Sequence, residues 1–143
     1  MKLPLTFSGT AIINSDTQQI WSIKSGDNKV ECSIPKDFGG PGLGFSPEDF
    51  FLQALINCFL GTFKISANLS KVVYNSLNVY GEIVLDSNEN KQTVIKNCVL
   101  KITARGVVNR DRFTHMVNKV MKSGFILNSV KTEINYELSF ESE

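Results

Sequence analysis

The side chains of this chain that most readily carry out chemistry are those of its three cysteines, Cys32, Cys58 and Cys98. A cysteine thiolate is a nucleophile and a metal ligand, whereas a free cysteine in a core is usually a small apolar residue. Cys58 lies in the middle of GFSPEDFFLQALINCFLGTF, residues 44–63, whose apolar character disfavours the thiolate. The residues alone therefore favour a core role for all three cysteines, and a reactive thiol at Cys58 remains open.

Other kinds of chemical site find little support. His115 is the only histidine and the cysteines form no CxxC pair, so neither a zinc site nor a disulfide scaffold is predicted. No GxSxG motif is present to supply a serine nucleophile. The stretch GGPGLGFSPED lacks the third glycine and the Lys-Ser/Thr pair of phosphate-binding loops, and Glu48 and Asp49 would repel an anion. We therefore expect a structural loop, a surface or helix-packing histidine, no cofactor and no metal.

Size and composition indicate one domain covering residues 1–143, because 42% of the residues are hydrophobic and ten are phenylalanine. The net charge of +1 offers no basic field for nucleic acid. The N-terminal MKLPLTFSGT has no long apolar run, as a signal peptide would. The apolar residues 50–63 are fewer than the ~20 of a membrane span and include Gln53 and Asn57. We expect a cytoplasmic protein with neither nucleic acid nor a membrane as partner.

The apolar patterns predict an α+β domain with the order β-β-β-α-β-β-α-β. The predicted strands are 5–14, 18–24, 30–34, 72–86, 93–105 and 130–140, with the polar residues NSDT forming a hairpin turn between the first two. The last strand alternates apolar and polar residues, which is typical of a strand covered on one side.

Two helices are predicted from their ends. Ser46 is a good N-cap for the first helix, Pro47 fits its first position, and Asp49 is placed to complete a capping box. This helix is apolar on nearly every side, so it belongs in the centre of a domain or at an interface. Asn109 caps the second helix, and Gly124 suits the left-handed residue that follows a last helical turn.

This order of elements resembles the OsmC/Ohr family, which contains osmotically inducible protein C and the organic hydroperoxide resistance proteins. GFSPEDFFLQALINCFLGTF is similar to the central helix of the family, with its Pro-Glu start and Ala-x-x-x-Cys, and SGFILNSVKTEINYEL is similar to its passage from the second helix to the last strand. The resemblance implies an OsmC-like intertwined homodimer. In that arrangement two central helices lie between curved sheets, and the active sites form at the dimer interface.

The resemblance also implies a thiol-dependent peroxidase that reduces organic hydroperoxides in oxidative stress defence. The peroxidatic cysteine falls on Cys58, and the glutamate that helps to hold its thiolate falls on Glu48. The second cysteine of the family pattern falls on Gly124, four residues before Asn128, so an external dithiol would be the reductant. The alternative is a protein that keeps the fold without turnover and binds a small apolar ligand at the dimer interface near Cys58.

A second departure from the family concerns its arginine, expected in the N-terminal hairpin. The first arginine of this chain is Arg105, which lies far beyond the hairpin. Ten helical residues separate Glu48 from Cys58, roughly 15 Å along the axis, so the two cannot touch without a bridging cation. Lys24 or Lys29 could supply that cation, although nothing in the sequence requires it.

Overall fold

The protein is described by a computed structural model that defines residues 1–15 and 20–142. The regular elements are β1 (Thr10–Ile12), β2 (Ile20–Ser25), β3 (Asn28–Ser33), α1 (Pro47–Ser70), β4 (Ser76–Ser87), β5 (Thr93–Arg105), α2 (Arg110–Ser123) and β6 (Glu133–Glu141). A short 3-10 turn, Lys36–Phe38, precedes α1. The predicted α+β order is confirmed. Contacts within the chain group it into two units, Met1–Phe51 and Leu52–Glu143, and α1 begins in the first and continues in the second.

The first unit holds an antiparallel sheet with the order β1-β2-β3. The regular part of the first strand is only Thr10–Ile12, much shorter than the predicted 5–14. The side chains of Leu5 and Phe7 are 55% and 90% exposed, so packing within the described residues does not stabilise a longer strand there. The predicted NSDT turn and the start of the second predicted strand fall partly on residues 16–19, outside the described residues.

The glycine-rich loop folds back on β3 through its backbone. The Ser33 hydroxyl accepts the N–H groups of Leu43 and Gly44 at 3.0 and 3.1 Å. A β-carbon on Gly44 would lie 2.8 Å from the Glu31 carbonyl oxygen, so only glycine allows this approach. The loop glycine therefore serves backbone packing.

Helix α1 begins with the predicted capping box. The Asp49 N–H donates to Ser46 Oγ at 3.0 Å, and the Ser46 N–H donates to Asp49 Oδ2 at 2.9 Å. These two bonds satisfy backbone donors that an uncapped helix leaves free. The prediction that the helix starts after Ser46 is confirmed.

The second unit contains a sheet with the order β4-β5-β6, in which β5 is antiparallel to β4 and parallel to β6. Helix α2 is the crossover that a parallel connection requires. Strand β4 starts four residues later than predicted, because Lys71 has a positive φ of 54° and the Val72 N–H donates to the Ala67 carbonyl. These residues end α1. The Asn109 side chain accepts the Arg112 N–H at 3.0 Å, so the predicted cap of α2 is confirmed.

One face of α1 forms the core of the second unit. Phe59 and Phe63 are fully buried, and the Phe63 ring lies 4.9 Å from that of Phe113 on α2, between ring centroids. The other face is not covered by residues 1–15 and 20–142, and Ile65 and Leu69 are 65% and 81% exposed. The expectation that this helix lies in the centre of a domain or at an interface is met by its buried side within one chain, and for the exposed side an interface stays a prediction.

By length and composition, α1 could also cross a membrane, with a mean hydropathy of 1.4 over its most apolar stretch, of which 28% is buried. The core helix of a water-soluble domain meets the same criterion. The buried side of α1 contributes Leu55, Phe59 and Phe63 to the domain core. We therefore interpret it as a core helix.

Candidate active site

Cys58 lies near the middle of α1, half-buried, with its sulfur directed at the end of α2. A β-carbon built on Gly124 would lie 3.0 Å from the Cys58 Sγ. Gly124 itself is buried and follows directly after Ser123, the last residue of α2. The structure thus brings Cys58 and Gly124 together, although 66 positions separate them in the sequence.

The predicted left-handed conformation of Gly124 is wrong. Its φ and ψ are −63° and 129°, an extended conformation open to any residue. The Gly124 N–H donates to the Val120 carbonyl at 2.9 Å, and the Asn128 side chain donates to the Gly124 carbonyl at 2.7 Å, so the turn that follows is closed without a left-handed residue. Glycine is favoured here by space, because a β-carbon would also lie 2.9 Å from Leu127 Cδ1, which would have to shift.

Sequence reasoning did not identify Leu127, which is 6% exposed and contacts the bare face of Gly124. It stands in the irregular turn after α2, where apolar periodicity carries no information. Only the three-dimensional structure reveals that Leu127 and the Cys58 sulfur both lie next to Gly124.

Cys32 and Cys98 are both buried, at 2% and 0% exposure. Burial raises the pKa of each thiol above its ordinary value, since the charged form loses its hydration. In the register of β5 and β6, Cys98 lies opposite Ile134, and Cys32 pairs with Trp21 in the first sheet. Both therefore have the environment of a small core residue.

Glu48 stands in the first turn of α1 and is half-buried. Its Oε2 atom is buried and has no hydrogen-bond partner among residues 1–15 and 20–142. Because α1 is unbroken from Pro47 to Ser70, ten residues of helix, about 15 Å, separate Glu48 from Cys58 along the axis. The helix does not bring these two side chains together.

Lys24 and Lys29 face each other across β2 and β3, and both line a cavity of about 590 Å³ in the first unit. Glu31 lines the same cavity. Like charges in directly opposite positions destabilise a strand pair, so this pair has a cost that an acidic neighbour or ligand would offset.

No metal site is found where the chain is described. Residues 1–15 and 20–142 contain no group of three or more His, Cys, Asp or Glu side chains that could hold an ion. His115 is exposed on α2, as predicted for a surface histidine.

The sequence and the fold were compared with those of known proteins. A model of the family described as OsmC-like protein matches residues 40–139, which include α1, Cys58 and Gly124. The chain belongs to the OsmC-like family. No curated protein sequence matches it.

Several solved structures share the fold. An OsmC-like protein of unknown function from Vibrio cholerae O1 biovar eltor is 19% identical, with a TM-score of 0.84 and coverage of 95% of this chain and 100% of the other. An organic hydroperoxide resistance protein, OsmC, from Legionella pneumophila is 20% identical, with a TM-score of 0.74 and coverage of 98% and 99%. The organic hydroperoxide resistance protein OhrB of Bacillus subtilis is 17% identical, with a TM-score of 0.66 and coverage of 96% and 98%. At such identities the likeness establishes the fold.

Proposed function

We propose that this OsmC-like protein is a thiol-dependent peroxidase that reduces organic hydroperoxides with Cys58 as its nucleophile. The observation that supports this most directly is the position of Gly124 against the Cys58 sulfur. The family pattern assigns its two cysteines to positions 58 and 124, and a functional pair must lie in contact. Relatives with the same fold are named organic hydroperoxide resistance proteins, which agrees with this assignment.

The reaction requires one protein sulfur. The Cys58 thiolate attacks one oxygen of the hydroperoxide, so that an S–O bond forms and the O–O bond breaks. The leaving alkoxide takes a proton and departs as the alcohol, and Cys58 becomes a sulfenic acid. One thiol of an external dithiol then forms a mixed disulfide with Cys58 and releases water. Attack by a second thiol restores the Cys58 thiol and releases a disulfide.

Glu48 is the second proposed member of the site, with a role that depends on a cation. Its buried Oε2 lacks a hydrogen-bond partner among the described residues, and a positive group would satisfy it. The chain has no arginine before Arg105, so a lysine is the available cation of the hairpin. Without such a bridge, Glu48 has no means to act on Cys58 ten helical residues away.

A homodimer is the proposed working form, as one OsmC-like domain per chain covering residues 1–143. The uncovered face of α1, with exposed Ile65 and Leu69, is the kind of apolar surface that an interface buries. Gly61 on the same helix would meet no atom within 4 Å if it carried a β-carbon, so a second helix could approach there closely. The three free cysteines fit a reducing compartment, and we place the protein in the cytoplasm.

A second candidate function is binding without turnover. Two features of the sequence favour it. Gly124 stands where the family pattern has its second cysteine, and no arginine occurs in the N-terminal hairpin. Such a protein would hold a small apolar ligand at the dimer interface near Cys58.

Hydroperoxide consumption by single-cysteine variants tests the two candidates. Cys58→Ser should abolish the consumption of an organic hydroperoxide in the presence of dithiothreitol. Cys32→Ser and Cys98→Ser are matched controls and should retain it, because both thiols are buried. A wild-type protein that consumes no hydroperoxide would favour the binding function. Activity that survives Cys58→Ser and disappears in Cys98→Ser would show that the wrong sulfur has been chosen.

A further inference from the structure

Leu127 connects the neighbourhood of Cys58 with a groove on the second unit. Leu127 Cδ1 and the Cys58 Sγ lie 2.9 and 3.0 Å from the same point, the position of a β-carbon built on Gly124. Leu127 also lines a groove of about 340 Å³ formed by α2, the turn after it and β6. This volume is enough for a small organic molecule. Leu127 is therefore the residue that borders both the groove and the bare backbone of Gly124 beside the sulfur.

The groove carries a positive charge. Lys122, from the last turn of α2, lines it, and no acidic residue does. Two of its amide groups are already engaged, since Asn118 accepts a hydrogen bond from the Tyr136 hydroxyl and Asn128 donates to the Gly124 carbonyl. Lys122 is therefore the group that would distinguish ligands by charge.

We propose that the thiol that regenerates Cys58 enters through this groove, passes Leu127 to reach the sulfur over Gly124, and is a small thiol that carries a negative charge. This inference rests on the proposed peroxidase function, which leaves a sulfenic acid with no second cysteine at position 124. The second sulfur must come from solution and approach Sγ to about 2 Å, the length of an S–S bond. Over the glycine no side chain of residue 124 blocks that approach.

The chemistry balances with the thiol as reductant. When RSH attacks the sulfenic acid, an S–S bond forms, the S–O bond breaks, and the hydroxyl leaves as water with the proton of the thiol. A second RSH then attacks the mixed disulfide, which releases RSSR and returns the proton to Cys58. Two electrons pass from two thiols to the sulfenic sulfur.

The route is tested without peroxide, by disulfide exchange. Cys58 reacts with a symmetrical disulfide RSSR to give Cys58–S–S–R and RSH, and this is the same mixed disulfide. The probes are dithiodiglycolate, which is anionic, bis-hydroxyethyl disulfide, which is neutral, and cystamine, which is cationic. Intact mass gives the rate, a peptide map locates the adduct, and rates are divided by those of a free cysteine peptide to remove intrinsic reactivity.

The first prediction concerns the effect of the positive charge of the groove on the exchange rates. The anionic probe should react about two- to threefold faster than the neutral one at low salt, as one unit charge at several ångströms in water implies. Lys122→Gln should remove the preference. Lys119→Gln, an exposed lysine of α2 outside the groove, should keep it. Equal corrected rates for the three probes, or a preference unchanged in Lys122→Gln, would refute the negative charge of the reductant.

The second prediction concerns the residues Leu127 and Gly124, which lie on the proposed route. Leu127→Ala should raise all three exchange rates about fivefold or more. Leu127→Val should raise them less, and it provides the test if the alanine variant does not fold. Gly124→Ala should lower them, because the methyl group would lie 3.0 Å from the sulfur. Ile126→Ala, at a neighbouring exposed residue, is the control and should match the parent. If no folded variant differs from the parent, the route is wrong.

The outcomes separate this inference from the proposed function. Exchange that follows the predicted pattern in a protein that consumes no hydroperoxide would leave the route standing and overturn the peroxidase. Hydroperoxide consumption that depends on Cys58, combined with exchange insensitive to Leu127 and Gly124, would keep the peroxidase and overturn the route.

Discussion

Gly124→Cys should create a disulfide with Cys58 and restore a cycle with two protein cysteines. An ideal β-carbon at position 124 lies 3.0 Å from the Cys58 Sγ. In a disulfide, each β-carbon lies about 3.0 Å from the far sulfur, as follows from the S–S and C–S bond lengths and the angle between them. The backbone at Gly124 already meets this condition. With φ at −63°, a cysteine there needs no left-handed conformation.

The energetic consequences have opposite signs in the two redox states. In the reduced variant, the new side chain must displace Leu127 Cδ1, which lies 2.9 Å from the β-carbon, and such overpacking typically costs about 1–3 kcal/mol. In the oxidised variant, the bond closes a loop of about 66 residues and removes about 4 kcal/mol of chain entropy from the unfolded state. The oxidised variant should therefore melt above the parent, and the reduced variant below it.

A non-reducing peptide map provides the assay. The folded variant, treated with one equivalent of an organic hydroperoxide, should show a peptide pair that joins Cys58 to the introduced cysteine. The parent should stop at sulfenic acid or over-oxidise. Phe125→Cys is the matched control, because residue 125 is next in sequence but 70% exposed, and it should give no such link. If the Gly124→Cys protein folds and its Cys58 is oxidised, yet no link forms, then the end of α2 does not lie against the Cys58 sulfur.

Two further predictions concern assembly and pH. Light scattering at micromolar concentration should give a mass of about twice 15.9 kDa. Ile65→Asp on the uncovered face of α1 should shift the protein toward monomer, whereas Asn90→Asp in the exposed β4–β5 turn should not. A parent protein that is monomeric and folded would contradict the proposed dimer. Burial raises the pKa of Cys98 above its ordinary value of 9.0, so above about pH 9 only the unfolded state ionises and the free energy of unfolding falls as pH rises toward the folded pKa. Urea denaturation between pH 8 and 10 should therefore show a shallower fall for Cys98→Ala, and identical slopes would contradict the buried thiol.

Local signals in the sequence were sufficient for the elements whose boundaries depend on neighbouring residues. Strand β5 spans the predicted 93–105, and both helix starts were predicted because Ser46 and Asn109 are caps whose partners lie three residues away. The alternation in the last strand correctly indicated one covered side. Each of these predictions needed only a short window of sequence.

Features that depend on distant residues were not predictable in this way. The β-branched and aromatic residues of 5–14 resemble a strand, but strand formation needs a partner, and only Thr10–Ile12 has one among the described residues. Glycine after a helix usually indicates a left-handed cap, yet at Gly124 it indicates the approach of Cys58 from another helix. No residue pattern distinguishes these two reasons for a glycine. Family resemblance could assign a role to position 124, because it compares the motif SGFILNSVKTEINYEL with the corresponding segment of the family.

The contact between Cys58 and Gly124 also explains why composition alone left the thiol undecided. The apolar residues around Cys58 in the sequence form a helix whose buried face is Leu55, Phe59 and Phe63, and Cys58 itself lies at the edge of that face, half-buried. Cys58 is thus less enclosed than Cys98, which is 0% exposed. At position 124 any side chain would crowd the sulfur, because its β-carbon would lie 3.0 Å from the Cys58 Sγ. If the proposed peroxidase function holds, a cysteine at position 124 would complete the cycle within the chain, whereas glycine requires a thiol from solution for its second half.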